Sequence, residues 1–477
     1  MDPCCALRGA ARDRCGARAS PTTRGETVTD RATTRTRPSL PRRLRERAAA
    51  VLALLLVVGT ALWGAGGVQP TAAAWTDAVD SQGEVAIATA GIPTAVATGA
   101  DFSCALVSGE VWCTGDNSVG QLGTGDTTSS DVFVGPVRGE LQGRTVLDID
   151  SGTSHTCATT DDAVFCWGLN DRGQLGVEGV ANSTLPVRVP ARSDESAATD
   201  LELGASSSCV VAAGKAYCWG DTHTQVGRTG TPVQISGGAL PASATVTDIG
   251  VGDDSACLVA DGIPYCWGKN ARGQLGDGTT SESLTPVRVV TTGALAGFTS
   301  GDVSVADEFA CVIGSGPDNG ERTFCWGDNS AKQLGQSTNG AQVEMSTTPL
   351  QVRGALTELR SRLVDLGGKT ACVLAHDGAA YCWGDNSSAQ TGANEDEWSV
   401  PVVRDRPERI LTKQMGEDRV LETVDVSVDH GCTLTTGGRV FCWGSDAKGQ
   451  LGIEGAAGPG ARKVFPWAAT QTWPTWE

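Results

Sequence analysis

The sequence predicts an all-β fold made of seven copies of one unit, joined as a propeller or a solenoid. Three observations predict it. The triplet Cys-Trp-Gly, or a close variant, recurs with its Cys at Cys113, Cys166, Cys218, Cys266, Cys325, Cys382 and Cys442, at intervals of 48 to 60 residues. A period near fifty is the mark of a repeat architecture. Each copy consists of short β-branched or aromatic runs bounded by Gly, Asn, Asp or Pro, with no helical period in any of them. Each copy also carries an earlier Cys, nine to fourteen residues before the triplet.

Within a copy the elements keep a fixed order. A hydrophobic run with an acidic residue comes first, as in Leu147-Asp148-Ile149, Val246-Thr247-Asp248-Ile249 and Leu363-Val364-Asp365-Leu366. The first Cys follows, then a turn, then Cys-Trp-Gly. A Gln-Leu-Gly element comes next, and then a Pro leading an alternating apolar run: Pro136, Pro186, Pro232, Pro286, Pro349, Pro401 and Pro466. This gives three or four strands per copy.

The spacing of the paired Cys fits a hairpin. Between Cys257 and Cys266 sits Asp261-Gly262, a strong two-residue turn. Counting outward, the Cys form the fourth pair, a non-hydrogen-bonded one with Cα atoms roughly 4.5 Å apart, at the short end of the disulfide range. In the two copies with one extra residue, Gly378 and Gly438 stand third in the turn, where a three-residue hairpin needs a left-handed residue. A longer loop, Pro317-Asp318-Asn319-Gly320, separates Cys311 from Cys325. Seven cross-strand disulfides are therefore expected: Cys104–Cys113, Cys157–Cys166, Cys209–Cys218, Cys257–Cys266, Cys311–Cys325, Cys372–Cys382 and Cys432–Cys442. Buried free thiols of a cytosolic protein are the alternative. Metal sites would need Cys-x-x-Cys or His spacing, which is absent.

These residues resemble the regulator of chromosome condensation repeat family. The resemblance is carried by His155-Thr156-Cys157-Ala158, Cys166-Trp167-Gly168, Asn170 and Gly173-Gln174-Leu175-Gly176. It recurs at Cys266-Trp267-Gly268, Asn270 and Gly273-Gln274-Leu275-Gly276, and at Cys442-Trp443-Gly444 and Gly449-Gln450-Leu451-Gly452. It covers about residues 91–470 and implies a seven-bladed β-propeller, with His155 and His430 in structural positions. Three copies depart from the pattern: Trp112-Cys113-Thr114-Gly115, Thr224-Gln225-Val226-Gly227 and Ala389-Gln390-Thr391-Gly392. These departures are expected to loosen single blades. Family members with very different tasks share the ring, so the fold alone does not fix the function.

Residues 1–74 are a different material. They hold twelve Arg and no Lys against five acidic residues, a net +7; the whole chain is −18, so residues 75–477 carry −25. Residues 1–47, with Cys4, Cys5 and Cys15, have no apolar period and are expected to be disordered. Ala48 to Gly64 is an uncharged apolar run of 17 residues behind Arg42-Arg43-Leu44-Arg45-Glu46-Arg47, ending near Ala72-Ala73-Ala74. That reads as a secretory signal over 48–74, with a retained membrane anchor as the alternative. Export gives the disulfides an oxidising compartment. Residues 75–90 read as a polar tether and 471–477 as a Trp-containing tail. The copies start on their second landmark, at Pro93, so the strand around Val464–Ala468 is expected to complete the blade begun by Thr94–Val107.

The search for chemistry is mostly negative. None of the four His has a second His or a carboxylate at ligand spacing, and no nucleophile elbow, phosphate loop or zincin motif occurs. Asp116-Asn117, Asp328-Asn329 and Asp385-Asn386 follow Gly and invite a calcium reading, but Asp and Asn there serve as turn formers. No catalytic residue, cofactor or metal is assigned. The recurring Trp reads as an inter-blade spacer. Trp398, in the acidic insertion Asn394-Glu395-Asp396-Glu397, is the candidate contact residue. A charge of −25 excludes nucleic acid as a partner, because phosphate neutralisation needs Lys and Arg. The expectation is an exported or cell-surface, monomeric, non-catalytic binding module. It would present loops to a protein or an envelope polymer and touch the membrane only through its N-terminal segment, if that is uncut. The alternative is a polysaccharide-active hydrolase or lyase of the cell surface.

Overall fold

The computed structural model describes residues 91–190, 197–336, 343–392, 403–410 and 419–452, and the backbone of 462–463. These residues form seven four-stranded antiparallel sheets, in each of which every strand pairs with its neighbour in sequence. Blade 1 is β1 (Pro93–Thr98), β2 (Phe102–Val107), β3 (Glu110–Gly115) and β4 (Ser130–Val134). Blades 2 to 7 repeat that order over 148–188, 198–234, 246–288, 299–351, 361–409 and 421–463. First strands of adjacent blades touch one another around the whole circle, including blade 7 against blade 1. The ring is closed, with the first strands at its centre: a seven-bladed β-propeller.

The turns obey the residues that make them. In the two-residue hairpins Ser108-Gly109, Ala213-Gly214 and Asp261-Gly262 both residues have positive φ, for example +50° and +77° at Asp261 and Gly262. Such turns match the twist of the flanking strands. Gly378 and Gly438 take the left-handed third position, with φ of +77° and +76°. In all seven blades the register places the two Cys directly opposite each other. All seven pairs are bonded, with Cα atoms 4.0–4.1 Å apart.

Cys-Trp-Gly proves to be a three-part joint. The Cys clips the second strand to the third. The ladder to the fourth strand then shifts register between Cys and Gly, leaving the Trp on a bulge. Gly168, Gly268 and Gly327 close that bulge at φ near +100°, a conformation open to Gly at little cost. The Trp side chains are buried, and each indole Nε1 donates to a carbonyl of the preceding blade. Trp167 reaches Gln121, Trp219 reaches Gln174, Trp326 reaches Gln274, Trp383 reaches Gln333 and Trp443 reaches Gln390, at 2.7–2.9 Å. In blade 3 Thr222 supplies the carbonyl to Trp267 instead. The last Gly of Gln-Leu-Gly lies under the next indole: a Cβ on Gly276 would sit 2.6 Å from Trp326 Nε1.

Two expectations need correcting. Blade 1 already has four strands of its own, and the C-terminal strand Arg462–Lys463 pairs with Gly444 and Ser445 of blade 7. Among the described residues no strand exchange closes the ring; Val464–Ala468, on which that expectation fell, lie outside them. Nor does the variant triplet of blade 1 loosen it. Trp112 stands two residues before Thr114, hence on the same face of β3, and packs with Phe133, Val96, Leu451, Cys432 and Cys442 across the seam to blade 7. Phe133 lies over Gly452 as the Trp do over their glycines, and Thr114 Oγ1 donates to Gly449 O at 2.8 Å.

Candidate interaction surface at the channel mouth

In six of the seven blades an acidic residue of the first strand has a definite task; β1 of blade 1 carries none. The carboxylate accepts a backbone N–H from the first strand of the next blade. Asp150 takes Leu203, Asp200 takes Ile249, Asp248 takes Val303, Asp302 takes Val364 and Asp365 takes Val426, at 2.6–3.1 Å. Asp425 serves the closing seam by accepting from Thr98 N of blade 1 at 2.9 Å and from Thr98 Oγ1, so six of the seven seams carry such a bond. Two registers occur. Asp150, Asp365 and Asp425 stand opposite the first Cys of their blades, whereas Asp200, Asp248 and Asp302 stand opposite the second residue after it. Further carboxylates, among them Asp148 and Glu422, line the channel near the starts of the first strands.

The opposite end of the channel is built by the loops between first and second strands. Antiparallel pairing puts the longer third-to-fourth loops on this same face. The mouth is lined by glycines and small residues, including Gly99, Ala100, Gly152, Thr153, Gly204 and Ala205, with Val428 exposed at its edge. Glycine is needed because neighbouring loops touch backbone to backbone. A Cβ on Gly152, Gly204 or Gly252 would lie 2.2–2.4 Å from a carbonyl oxygen of the next blade. Blades 4 to 6 make the mouth charged. Asp253 and Asp307, of blades 4 and 5, both line the mouth, and burial raises the pKa of each. Asp254 pairs with Lys269 at 2.7 Å, Glu308 with Arg272 at 3.8 Å, and the buried Asp328 with Lys369 at 3.5 Å.

The remaining candidates find structural places. His155 Nε2 bonds to Ser208 Oγ of the next blade, and His430 Nε2 to Ser103 Oγ across the closing seam, both at 2.9 Å. Burial pushes the His155 imidazole down to about 3, so it is neutral. His376 does have a carboxylate beside it in space, Glu321 at 2.5 Å from the neighbouring blade, a contact the linear spacing hides. Asp116, Asp328 and Asp385 bond to the Ser two residues on and to the Gln of their own loops, as turn residues do. Among the described residues no group of three or more His, Cys, Asp or Glu is arranged to hold a metal. Nor is any helix among them long and apolar enough to cross a membrane. Trp398, the secretory segment and the tail lie outside the described residues. Sequence reasoning missed that Asp253 and Asp307 both line the mouth; each acid was legible only as one member of an acidic dipeptide.

The sequence model of the regulator of chromosome condensation (RCC1) repeat matches residues 108–159, 161–211 and 261–313, and a second model of that repeat matches 94–121, 146–174 and 423–450. The ultraviolet-B receptor UVR8 of Arabidopsis thaliana is 27% identical over 372 residues, spanning 75% of this chain and 78% of the relative. The E3 ubiquitin-protein ligase HERC2 of Homo sapiens is 31% identical over 348 residues, 72% of this chain but 6% of that much longer protein. Yeast RCC1 (Prp20) bound to Kap60 superposes with a TM-score of 0.62 at 16% identity, covering 82% of this chain and 89% of the other. Prp20p of Saccharomyces cerevisiae gives 0.61 at 17%, covering 76% and 84%. Matches of two repeat models along the chain show that the protein carries regulator of chromosome condensation repeats, and the superposition on yeast RCC1 shows the same ring fold.

Proposed function

We propose that the protein is an exported or cell-surface binding module, a non-catalytic ring that presents its loop face to a protein or envelope partner. The observation that carries this reading is the set of seven buried disulfides, one per blade. Such bonds form and persist in oxidising compartments. They hold each blade rigid while the loops on one face vary. Binding is also what the named relatives support: UVR8 is a receptor, and Prp20p is described by its binding to Gsp1p and histones. The ring's charge favours a partner with basic groups over nucleic acid.

The test has two arms. The protein is taken from its native source into alkylating reagent, and the ring thiols are counted before and after reduction. The same ring, immobilised, is then used to capture and cross-link partners from envelope extract. Ring cysteines that react only after reduction, with a salt-sensitive captured partner, support the reading. Reactive ring thiols in the native protein overturn the exported location. Breakdown of an envelope glycan by the purified ring overturns the non-catalytic one.

A further inference from the structure

The seam between blades 1 and 2 lacks the joint that the other six carry. Two positions of a first strand hold the acid. One is opposite the first Cys, as at Asp150, Asp365 and Asp425; the other is opposite the second residue after it, as at Asp200, Asp248 and Asp302. In blade 1 both positions are alanine: Ala97 stands opposite Cys104, and Ala95 opposite Leu106. Both alanines are buried, in one apolar cluster with Ile149 and Ala158 of blade 2. At this seam β1 therefore offers methyl groups where the other first strands offer a carboxylate.

The receiving side of the seam shows the loss. Ser151 of blade 2 matches Thr98 of blade 1, since each stands opposite the residue before the first Cys of its blade. Thr98 donates its N–H, at 2.9 Å, and its hydroxyl to Asp425. Ser151 instead turns its N–H back to Asp150, the residue before it, at 2.8 Å. Its hydroxyl oxygen is buried without a hydrogen-bond partner among the described residues, and Ser151 as a whole is 7% exposed. A buried hydroxyl left unpaired costs free energy that a methyl in its place would not. Away from the channel wall the seam is joined as elsewhere. Trp167 Nε1 and Thr156 Oγ1 of blade 2 donate to Gln121 O at 2.9 and 3.2 Å. In the mouth loops Ala100 N donates to Thr153 O at 3.2 Å.

We propose that the ring opens first between blades 1 and 2: β1 and β5 (Asp148–Ser151) part at the channel wall while the outer joint of Trp167 to Gln121 holds as the hinge. Local opening starts where the fewest bonds must break. First and last blades meet at the seam between blades 7 and 1, yet that seam is doubly tied, by Asp425 to Thr98 and by His430 Nε2 to Ser103 Oγ at 2.9 Å. The order in which seams yield is thus set by the acid of each first strand. A hydrogen bond to a charged group shifts an equilibrium roughly ten- to a hundredfold, and opening at the unclasped seam is more frequent by that factor.

Amide hydrogen exchange of the folded full chain, read by fragment over the seven first strands and corrected for intrinsic rates, tests this order. In wild type Asp148–Ser151 is expected to exchange roughly tenfold or more faster than the first strands of the other six blades. In Asp425→Ala the exchange of Pro93–Thr98 is expected to rise toward that of Asp148–Ser151. Two further variants report on the hydroxyls by denaturant unfolding. Ser151→Ala removes a group without a partner and should leave the midpoint at or above that of wild type, whereas Thr98→Val removes a bonded one and should lower it. Exchange of Asp148–Ser151 at the pace of the other first strands overturns the proposal. So does an Asp425→Ala protein with unchanged exchange in Pro93–Thr98, or a Ser151→Ala midpoint as low as that of Thr98→Val.

Discussion

Removing one side chain, Asp425, should unfasten the ring where its two ends meet. Asp425 accepts both the N–H and the hydroxyl of Thr98 from blade 1, and Thr98 is buried, at 6% exposure. Hydrogen bonds to a charged group contribute about 1.5–3 kcal/mol each, and a buried donor left unmade costs about as much. The two bonds here share one oxygen of a partly buried carboxylate, so about 2–3 kcal/mol is the working figure for Asp425→Ala. At about 2 °C per kcal/mol, that is a fall in Tm of roughly 4–6 °C for a chain of this size. Asp425→Asn keeps an acceptor without the charge and should lose about half as much. The assay is calorimetric unfolding without reductant, run as a double-mutant cycle with Thr98→Val. A coupling of about 1 kcal/mol is expected between the two sites. An Asp425→Ala protein that melts with wild type, or strictly additive single changes, would refute the view that this carboxylate carries the closure.

Three further outcomes follow from other seams. Gly252→Ala places a methyl 2.2 Å from Ala306 O; about 2–4 kcal/mol should be lost in denaturant titration, the range of severe overpacking. His155 must stay neutral to remain buried, so stability should fall as pH drops below 6.5 toward its folded value of about 3; His155→Gln should flatten that acid limb. Replacing Cys257 and Cys266 together by Ser opens a loop of nine-residue separation and should cost about 2–3 kcal/mol by the loop-closure argument, read as a shift in denaturant midpoint with no change in blade count by small-angle scattering.

What could be read in advance depended on distance along the chain. Hairpin registers were legible because two-residue turns fix them locally. Asp261-Gly262 dictates that Cys257 faces Cys266, and so the pairing of the sulfurs followed. The glycines of the longer turns were legible for the same reason. The acidic residue in six of the first strands was visible as a pattern but not as a clasp, because its partner amide lies on the next blade and its own register differs between blades. Closure was misread on similar grounds. The repeat phase placed the strand around Val464–Ala468 with blade 1, whereas the described strand just before it, Arg462–Lys463, pairs with blade 7. Nothing in the local pattern of blade 1 says that Phe133 and Trp112 together fill the place that a Trp holds elsewhere.

The closing seam also changes how the ring's charge is to be understood. A net −25 over residues 75–477 reads in sequence as an outward field. Yet Asp150, Asp200, Asp248, Asp302, Asp365 and Asp425 point across seams, each bound to a backbone amide of its neighbour. Their charge holds the first strands together, in the way anions stabilise exposed N–H groups elsewhere. The field that a partner meets comes instead from the loops; of the residues lining the mouth, Asp253 and Asp307 of blades 4 and 5 are the acids, with Asp101 and Asp429 in the corresponding loops of blades 1 and 7. On the far side of the mouth, blades 7, 1 and 3 contribute Val428, Ala100 and Ala205. A partner seated over the channel would therefore need basic groups on one side and an apolar group on the other. Uniform basicity, of the kind that suits a nucleic-acid mimic, would satisfy only half of that surface.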